Sequence, residues 1–547
     1  MELLYERMTS FAGGENDSAP ATSFKPDEAT VIQNGRIGYE GYVEVRKGSQ
    51  RIHATALNSG AQCYGITTFI TAAGVEQWVA FFGTAGYYST DDGVNWTAIT
   101  GATGLREDYW DFATIRVSTT NYLIGANGNT NTYKYDGTTW GTVANIPNGV
   151  KYVETFNDRL YASGQAGSTV VASKIGDFET WTTPDGLSLQ VQTHDGDNDV
   201  RALYQHATVL LAFKRNSVSY IDGYGNSDII VAAGARGLSR SVGCVGFRTI
   251  RAVGSSIMWL SDRGVEMYTP GAEIRLASDK IKTFMSRIAW ENIVATPGIP
   301  CALFYPARHE YWVAVPVGGT QSNYIAVFNL ISGGWARWTF GETSGDTLYV
   351  DDDGYLNYND GADRSKANIS GGYLGLAAEG LWVSKDADGY LQLEVVASDV
   401  AALMIADHGD VNQAPVAGCF DGFVRYLDSG AQDNLDSNGA NGEDISFTLR
   451  TRPLLFGDPF RRKRVRAVRV SAIAEASASV TVLTLPDGAD GATHTLTIDG
   501  ATKGQPRQAK ARTNARGRSI PIEIRASTAG LKISGIEVGA ELMRESA

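Results

Sequence analysis

Ser89-Thr90-Asp91-Asp92-Gly93-Val94-Asn95-Trp96 is the stretch on which the reading of this chain turns. It closes a series in which the β-run Gln77–Phe82, a turn at Gly83–Gly86 and the β-run Tyr87–Ser89 follow one another, the pattern of an antiparallel meander. The octapeptide also fits S-x-D-x-G-x-x-W, an Asp-box turn. In such a turn the Asp91 carboxylate satisfies backbone amides, Gly93 permits the tight conformation and Trp96 packs beneath the hairpin. Ser89, Asp91, Gly93 and Trp96 are therefore expected to fold a blade and to perform no catalysis.

The same punctuation returns in Asp136-Gly137-Thr138-Thr139-Trp140 and in Gly176-Asp177-Phe178-Glu179-Thr180-Trp181, so that Trp96, Trp140 and Trp181 stand 44 and 41 residues apart. A period of about 40–45 residues with aromatic and turn markers is that of β-propeller blades. Further along, Val218-Ser219-Tyr220, Ile257-Met258-Trp259-Leu260, Tyr311-Trp312-Val313, Ala326-Val327-Phe328 and Trp335-Ala336-Arg337-Trp338 read as inner and middle strands. The expected fold is all-β: a propeller of six to eight blades over residues 42–440, with a C-terminal β-sandwich-like domain. Closing blades into a ring removes exposed sheet edges and explains how so much β-structure stays soluble.

Residues 1–41 read as an N-terminal arm, residues 345–415 as an irregular insert in the propeller, and residues 441–547 as a basic C-terminal β domain. In that last part Val465–Ile473, Val480–Leu485, His494–Ile498, Ile520–Arg525 and Leu531–Val538 are β-runs separated by turns. One helix is expected after Ser278, a candidate cap, because Ile281, Phe284, Met285, Ile288 and Ala289 fall at helical spacing. Ser398 to Ala406 reads as either a helix or a strand.

Composition supports a folded β-rich protein. Of 547 residues 62 are glycine, 43% are apolar and only 20% are charged, which excludes a disordered chain. The net charge of −13 conceals a division: from Thr451 onward there are 16 basic and 9 acidic residues, and before it 31 and 51. An acidic body is thus joined to a basic end. The four cysteines are too scattered for a metal or disulfide framework and read as reduced core residues. No run of apolar residues is long enough to span a membrane, and the first residues carry Glu2 and Glu6 where a secretion signal would be apolar. A soluble protein made in the cytoplasm is expected.

Signals for catalysis or cofactors are weak. The six histidines show no zinc spacing, and neither a nucleophile elbow nor a phosphate-binding loop occurs. Asp195, Asp197 and Asp199 alternate, as do Asp386 and Asp388, but the glycine and closing glutamate of a calcium loop are missing, so solvated turns are the better reading. The Asp-box also occurs in sialidases. A sialidase-like or glycan-binding receptor propeller is therefore the alternative, although Phe247-Arg248-Thr249-Ile250 only faintly resembles the start of such enzymes. No catalytic residue, metal site or cofactor is assigned.

The densest basic segment is Phe460-Arg461-Arg462-Lys463-Arg464-Val465-Arg466-Ala467-Val468-Arg469-Val470. Arg464, Arg466 and Arg469 alternate with apolar residues, so several cations can share one strand face. Arg461, Arg462, Lys463, Arg464 and Arg466 are the candidates for docking an acidic partner, and Lys503, Arg507, Lys510, Arg512, Arg516 and Arg518 can widen that surface. A solvated, charge-guarded edge strand and direct contact with DNA phosphates are the competing readings.

Thr9-Ser10-Phe11-Ala12-Gly13-Gly14-Glu15-Asn16, Asp27-Glu28-Ala29, Asn34-Gly35-Arg36-Ile37 and Val45-Arg46-Lys47-Gly48 together resemble the opening of bacteriophage tail nozzle and packaged-DNA stabilisation proteins. Asp195-Gly196-Asp197, Phe213-Lys214-Arg215-Asn216-Ser217, Gly243-Cys244-Val245, Trp259-Leu260-Ser261, Gly264-Val265 and Thr451-Arg452-Pro453 continue the likeness in order. The resemblance implies a structural virion protein of a short-tailed phage, located in the tail. It implies a homo-oligomeric ring, most often a hexamer, that lies below portal and adaptor proteins, carries tail fibres or spikes, and passes genomic DNA without reading its sequence.

Overall fold

Apolar side chains that alternate with polar ones along short runs bury one face of each strand, and the turns between them impose antiparallel pairing. In the computed structural model this produces six four-stranded antiparallel blades in succession. The structure describes residues 3–165, 167–191, 199–226, 229–232, 238–340, 347–350, 356–359, 364–366, 369–370, 373–374, 381–385, 391–395, 400–408, 412–488, 491–500 and 506–543.

The inner strands of blades 1 to 6 are Cys63–Ile70, Asp111–Val117, Tyr152–Phe156, Ala202–His206, Arg251–Val253 and Cys301–Tyr305. A further four-stranded sheet lies between blades 6 and 1. Its inner strands Val400–His408, Asn412–Cys419 and Val424–Leu427 come from late in the chain and its outer strand Ser49–Arg51 from the beginning. Leu403 and Cys419 of this sheet pack with Leu303 and Trp312 of blade 6, while Ala402 and Val416 pack with Trp78 and Phe82 of blade 1. The ring is thereby closed. The six to eight blades expected from sequence are met by six sequential blades and this composite closing sheet.

Phe69, Phe81, Trp110 and Tyr135 fill the seam between blades 1 and 2, and Phe81 stacks on Trp110 at 4.3 Å. The seam between blades 5 and 6 holds Met258, Leu260, Tyr311, Val313 and Trp335, together with the helical segment. At about 1.5–3 kcal/mol for each large apolar side chain, these seams are the main source of stability.

Lys463–Ile473, Lys532–Leu542, Val43–Val45 and Arg507–Arg512 form one sheet of the terminal sandwich. Phe447–Thr451, Ile522–Ala526, Ala478–Thr484 and Thr493–Ile498 form the other, and Val465, Val468, Val480, Ile522, Ile524 and Val538 are buried between them. Residues 4–8 do not form a free arm, because Leu4–Met8 pairs with residues 536–540 of the first sheet. Glu28–Gln33 pairs with Phe447–Thr451 and touches the outer strand of blade 6, which makes the second sheet continuous with that blade. Val43–Val45 pairs with Lys532 and Ile533, so the expected start of the propeller at residue 42 falls inside the sandwich. Likewise, Val400–His408 is an inner propeller strand and not part of an irregular insert, and the choice left open at residues 398–406 resolves as a strand.

The expected helix is real but broken. A 3-10 turn Asp279–Ile281 runs into Lys282–Ser286, and a second helix spans Trp290–Ala295. Ser278 does not cap it; its hydroxyl accepts from the Val265 amide instead. The cap comes from the other end of the chain, because the Asp17 carboxylate accepts the Thr283 amide at 2.9 Å and the Phe284 amide at 2.7 Å.

Buried ion pairs join sandwich and ring. Arg36 donates to Glu310 of blade 6 at 3.0 Å and to Asp428, just after the closing sheet, at 2.6 Å. Its guanidinium lies over the Trp338 ring at 4.9 Å. Arg46 pairs with Asp433 at 2.5 Å and Arg337 with Glu15 at 2.8 Å.

Candidate partner-docking surface

The Asp-box turn has the geometry its residues demand. Asp91 Oδ1 accepts the Asn95 amide at 2.9 Å and the Ser89 hydroxyl at 2.8 Å, and Ser89 Oγ accepts the Gly93 amide at 3.0 Å. Burial is the largest single influence and pushes the Asp91 carboxyl up, but the hydrogen bonds from Asn95 and Ser89 together outweigh it and hold the carboxyl below the usual carboxylate range. Gly93 has φ +81°, and a Cβ there would meet the Trp78 ring at 2.8 Å. Trp96 is half-buried, edge-on to His53 at 6.2 Å. The Asp91 carboxylate and the Ser89 hydroxyl are engaged within the turn, and the Trp96 ring packs beside His53.

Around the propeller axis, side chains of successive inner strands reach to the next blade. Asp111 accepts the Val153 amide at 3.0 Å, Glu154 the Gln205 amide at 3.2 Å, and the Tyr204 hydroxyl the Ala252 amide at 2.9 Å. These groups line an axial cavity of about 330 Å³ together with Arg248 and Arg251. Packed walls outweigh the remaining solvent contact: burial pushes the Asp111 carboxyl up to about 8 and that of Glu154 to about 7. Arg248, part of the faintly sialidase-like Phe247–Ile250 stretch, is spent on the Gly298 and Ala401 carbonyls at 2.8 and 2.9 Å. It is a buried anchor between inner strands. Burial also pushes the Cys63 and Cys244 thiols up to about 12, as fits core residues.

The basic segment divides. Lys463 is fully buried, and its Nζ donates to the carbonyls of Asp458 and Arg518. This corrects its assignment as a docking residue: two carbonyls at a sheet corner need donors, and the side chain is consumed in meeting them. Burial pulls its ammonium below the ordinary lysine value. Arg461 is half-buried and donates to the Met543 carbonyl at 3.2 Å, whereas Arg462 is exposed. Arg464 bonds Asn514, Arg466 pairs with Glu541 at 2.8 Å, and Arg469 pairs with Glu537. A bulge between Val465 and Ala467 keeps Arg464, Arg466 and Arg469 on the outer face while Val465 and Val468 enter the core.

Strand pairing brings further residues to that face. Tyr5 lies opposite Gly539 and Arg7 opposite Glu537 on one side, and Lys510 lies opposite Arg469 and Arg512 opposite Ala467 on the other. Leu3, Tyr5, Arg466, Arg469, Lys510, Arg512 and Glu537 line a shallow cleft of about 220 Å³. Lys510 and Arg512 were foreseen as widening the surface; Tyr5 and Arg7 were not, because nothing in the sequence says that the first residues join the last strand. Phe460, 82% exposed, stands in the turn just before this sheet. Of the alternating aspartates, Asp195, Asp197, Asp386 and Asp388 lie outside the described residues, as does Lys503. Asp199 accepts the Gly167 amide at 3.0 Å.

Residues 108–295 match the family model described as "Bacteriophage P22 Gp10, beta-propeller". This bears out the resemblance read from the sequence to the phage stabilisation family. No curated protein matches the sequence. Similar solved structures include YCF48 from Cyanidioschyzon merolae, with 11% identity, a TM-score of 0.37, and coverage of 70% of this chain and 98% of that one. Saccharomyces cerevisiae Sqt1 gives 10% identity, a TM-score of 0.37, and coverage of 70% and 100%. For the Neurospora crassa Pan2 WD40 domain the values are 8%, 0.35, 70% and 96%. Among the described residues no helix is long and apolar enough to cross a membrane.

Proposed function

We propose, from a chain whose residues 108–295 match the phage stabilisation propeller family, that the protein is a structural, non-catalytic component of a bacteriophage tail. It assembles with copies of itself into a ring, most simply a hexamer, that forms part of the conduit between head and tail. Portal or adaptor proteins and tail fibres or spikes are its neighbours, and genomic DNA passes through without sequence-specific contact. The protein is made in the host cytoplasm and becomes part of the virion.

The match over residues 108–295 is the observation that carries this reading. The geometry is in keeping with it. The Asp-box and Arg248 are engaged in internal bonds, and the outward sheet face of the sandwich gathers cations suited to protein contacts. An acidic body repels the DNA backbone, so a conduit built from it lets DNA slide where a basic wall would hold it. Electron microscopy of the purified full chain tests the proposal, together with particle mass in solution. Rings are expected. A strictly monomeric particle that binds or cleaves host glycans would replace the tail reading with the receptor-propeller one.

A further inference from the structure

The outward face of the first sandwich sheet carries four rows of charge. Glu537 and Glu541 form a central row on Lys532–Leu542. Arg464, Arg466 and Arg469 flank it on one side and Arg7 on the other, with Lys510 and Arg512 beyond the arginines on the edge strand. Arg7, Arg466 and Arg469 are occupied by the two glutamates and Arg464 by Asn514. Lys510 and Arg512 are exposed and have no ion-pair partner among the described residues. Beside them Tyr5 is 53% exposed and Leu3 41%, an aromatic and an aliphatic side chain in a setting of cations. An aromatic anchor with a cationic surround is the composition of a protein interface rather than of a bare solvated sheet.

The propeller holds the complementary charge at one end. Strands alternate in direction within each blade, so the turns joining first to second strand and third to fourth strand all open on the same end. In blades 1 to 5 the described residues of those turns include eight carboxylates, among them Asp91, Asp136, Asp158, Asp185 and Glu273, against the single cation Lys174. Asp158 and Glu273 are exposed. The sandwich is held at blade 6 and beside the closing sheet by Arg36 and Arg46.

We infer that the outward sandwich face, through Tyr5, Lys510 and Arg512, docks on the acidic turn end of the propeller of a second copy of this chain. The inference rests on the ring-forming reading above and names the surfaces that make the ring. Two different patches meet, so the contact is heterologous, the kind that closes into a ring when the rotation between copies permits. Exposed charges at its rim make assembly sensitive to salt.

The test uses the full chain and two charge-reversed variants: Lys510→Glu with Arg512→Glu, and Asp185→Lys with Glu273→Lys. Particle mass is followed against concentration, and melting curves verify that each variant is folded. Each variant alone is expected to raise the concentration for half-assembly at least about tenfold, and an equimolar mixture of the two is expected to recover much of the loss. Raising NaCl from about 0.05 to about 0.5 M is expected to weaken wild-type assembly in the same direction. If the Lys510/Arg512 variant assembles like the wild type, the sandwich face is not the contact. If it fails to assemble and the Asp185/Glu273 variant does not restore it, the face serves another partner and the inference is overturned. A wild-type chain that stays monomeric throughout refutes the ring reading itself, a result distinct from either of the others. If a variant proves unfolded, Lys510→Gln with Arg512→Gln removes the charge without reversing it, and normal assembly by that variant counts against the inference.

Discussion

Arg36→Met is the sharpest probe of how the sandwich is held to the ring. Methionine keeps an apolar stem near the Trp338 ring and removes the guanidinium that donates to Glu310 and Asp428. The side chains of Arg36, Glu310 and Asp428 are only 6%, 2% and 5% exposed, so the two carboxylates are left nearly out of water and facing one another. Breaking a buried pair in this way costs about 3–5 kcal/mol. An unfolding entropy of about 2.1 cal/mol/K per residue gives roughly 1.1 kcal/mol/K for 547 residues unfolding together, so the melting temperature should fall by about 3–4 °C at pH 8.

The sign of the pH dependence identifies the cause. Burial already raises the Glu310 carboxyl, and Arg36 is the principal influence pulling it back. Without Arg36 the folded state holds a proton at this site that the unfolded chain releases, so the stability of the variant falls as pH rises through the interval between the unfolded and folded values. The slope is at most about 1.4 kcal/mol per pH unit. The deficit against wild type should therefore be largest near pH 8 and shrink towards pH 5. Glu310→Gln added to Arg36→Met should return part of the loss at pH 8. Scanning fluorimetry at the two pH values, in parallel for wild type and both variants, decides the matter. A deficit below about 1 kcal/mol, or one equal at both pH values, would refute the reasoning.

Three further outcomes are expected. Asp111→Asn should flatten the decline in stability of the wild type as pH rises from about 5 to about 8, because the folded carboxyl titrates near 8 and the unfolded one near its ordinary 3.8; melting curves across that interval check it. Gly93→Ala should lower stability by about 2 kcal/mol, since its φ of +81° penalises an L side chain and the new Cβ meets Trp78; denaturant midpoints measure this. Asp17→Ala should cost about 1 kcal/mol by uncapping the helix at Lys282, with faster amide exchange at Thr283 and Phe284 as the local readout.

What could be read from the sequence was whatever a few neighbouring residues determine. The turns at Asp91 and Asp136 fix their own hydrogen bonds, and Trp96 stands just before, and Trp140 at the start of, the outer strands of blades 1 and 2, which is why the blade period shows in the sequence. Ser49–Arg51 was missed as a propeller strand because Ser-Gln-Arg has no apolar alternation and its partner Val424–Leu427 is made almost at the end of the propeller. Tyr5 and Arg7 were overlooked for the same reason: their neighbours on the sheet lie at residues 537–539. Lys463 could not be recognised as buried, because alternation suggests only a face, and the carbonyls that hold its ammonium come from Asp458 and from the distant Arg518. Local chemistry reveals the blade, and only pairing across the chain reveals the surface.

The composite closing sheet also dictates an order of events during synthesis. A ribosome releases Ser49–Arg51 long before Val400–Leu427, so six blades can form while the seventh position stands empty. Until those late strands arrive, the flank of blade 1 bearing Trp78 and Phe82 and the flank of blade 6 bearing Trp312 lack their packing partners. Between completion of blade 6 and arrival of those strands a nascent chain is thus an open arc with two sticky ends, the stage at which a misplaced neighbour does most harm. Truncation before residue 400 should yield aggregates rather than a smaller propeller, and the slow step of refolding should be the capture of one three-residue strand by a sheet from the far half of the chain.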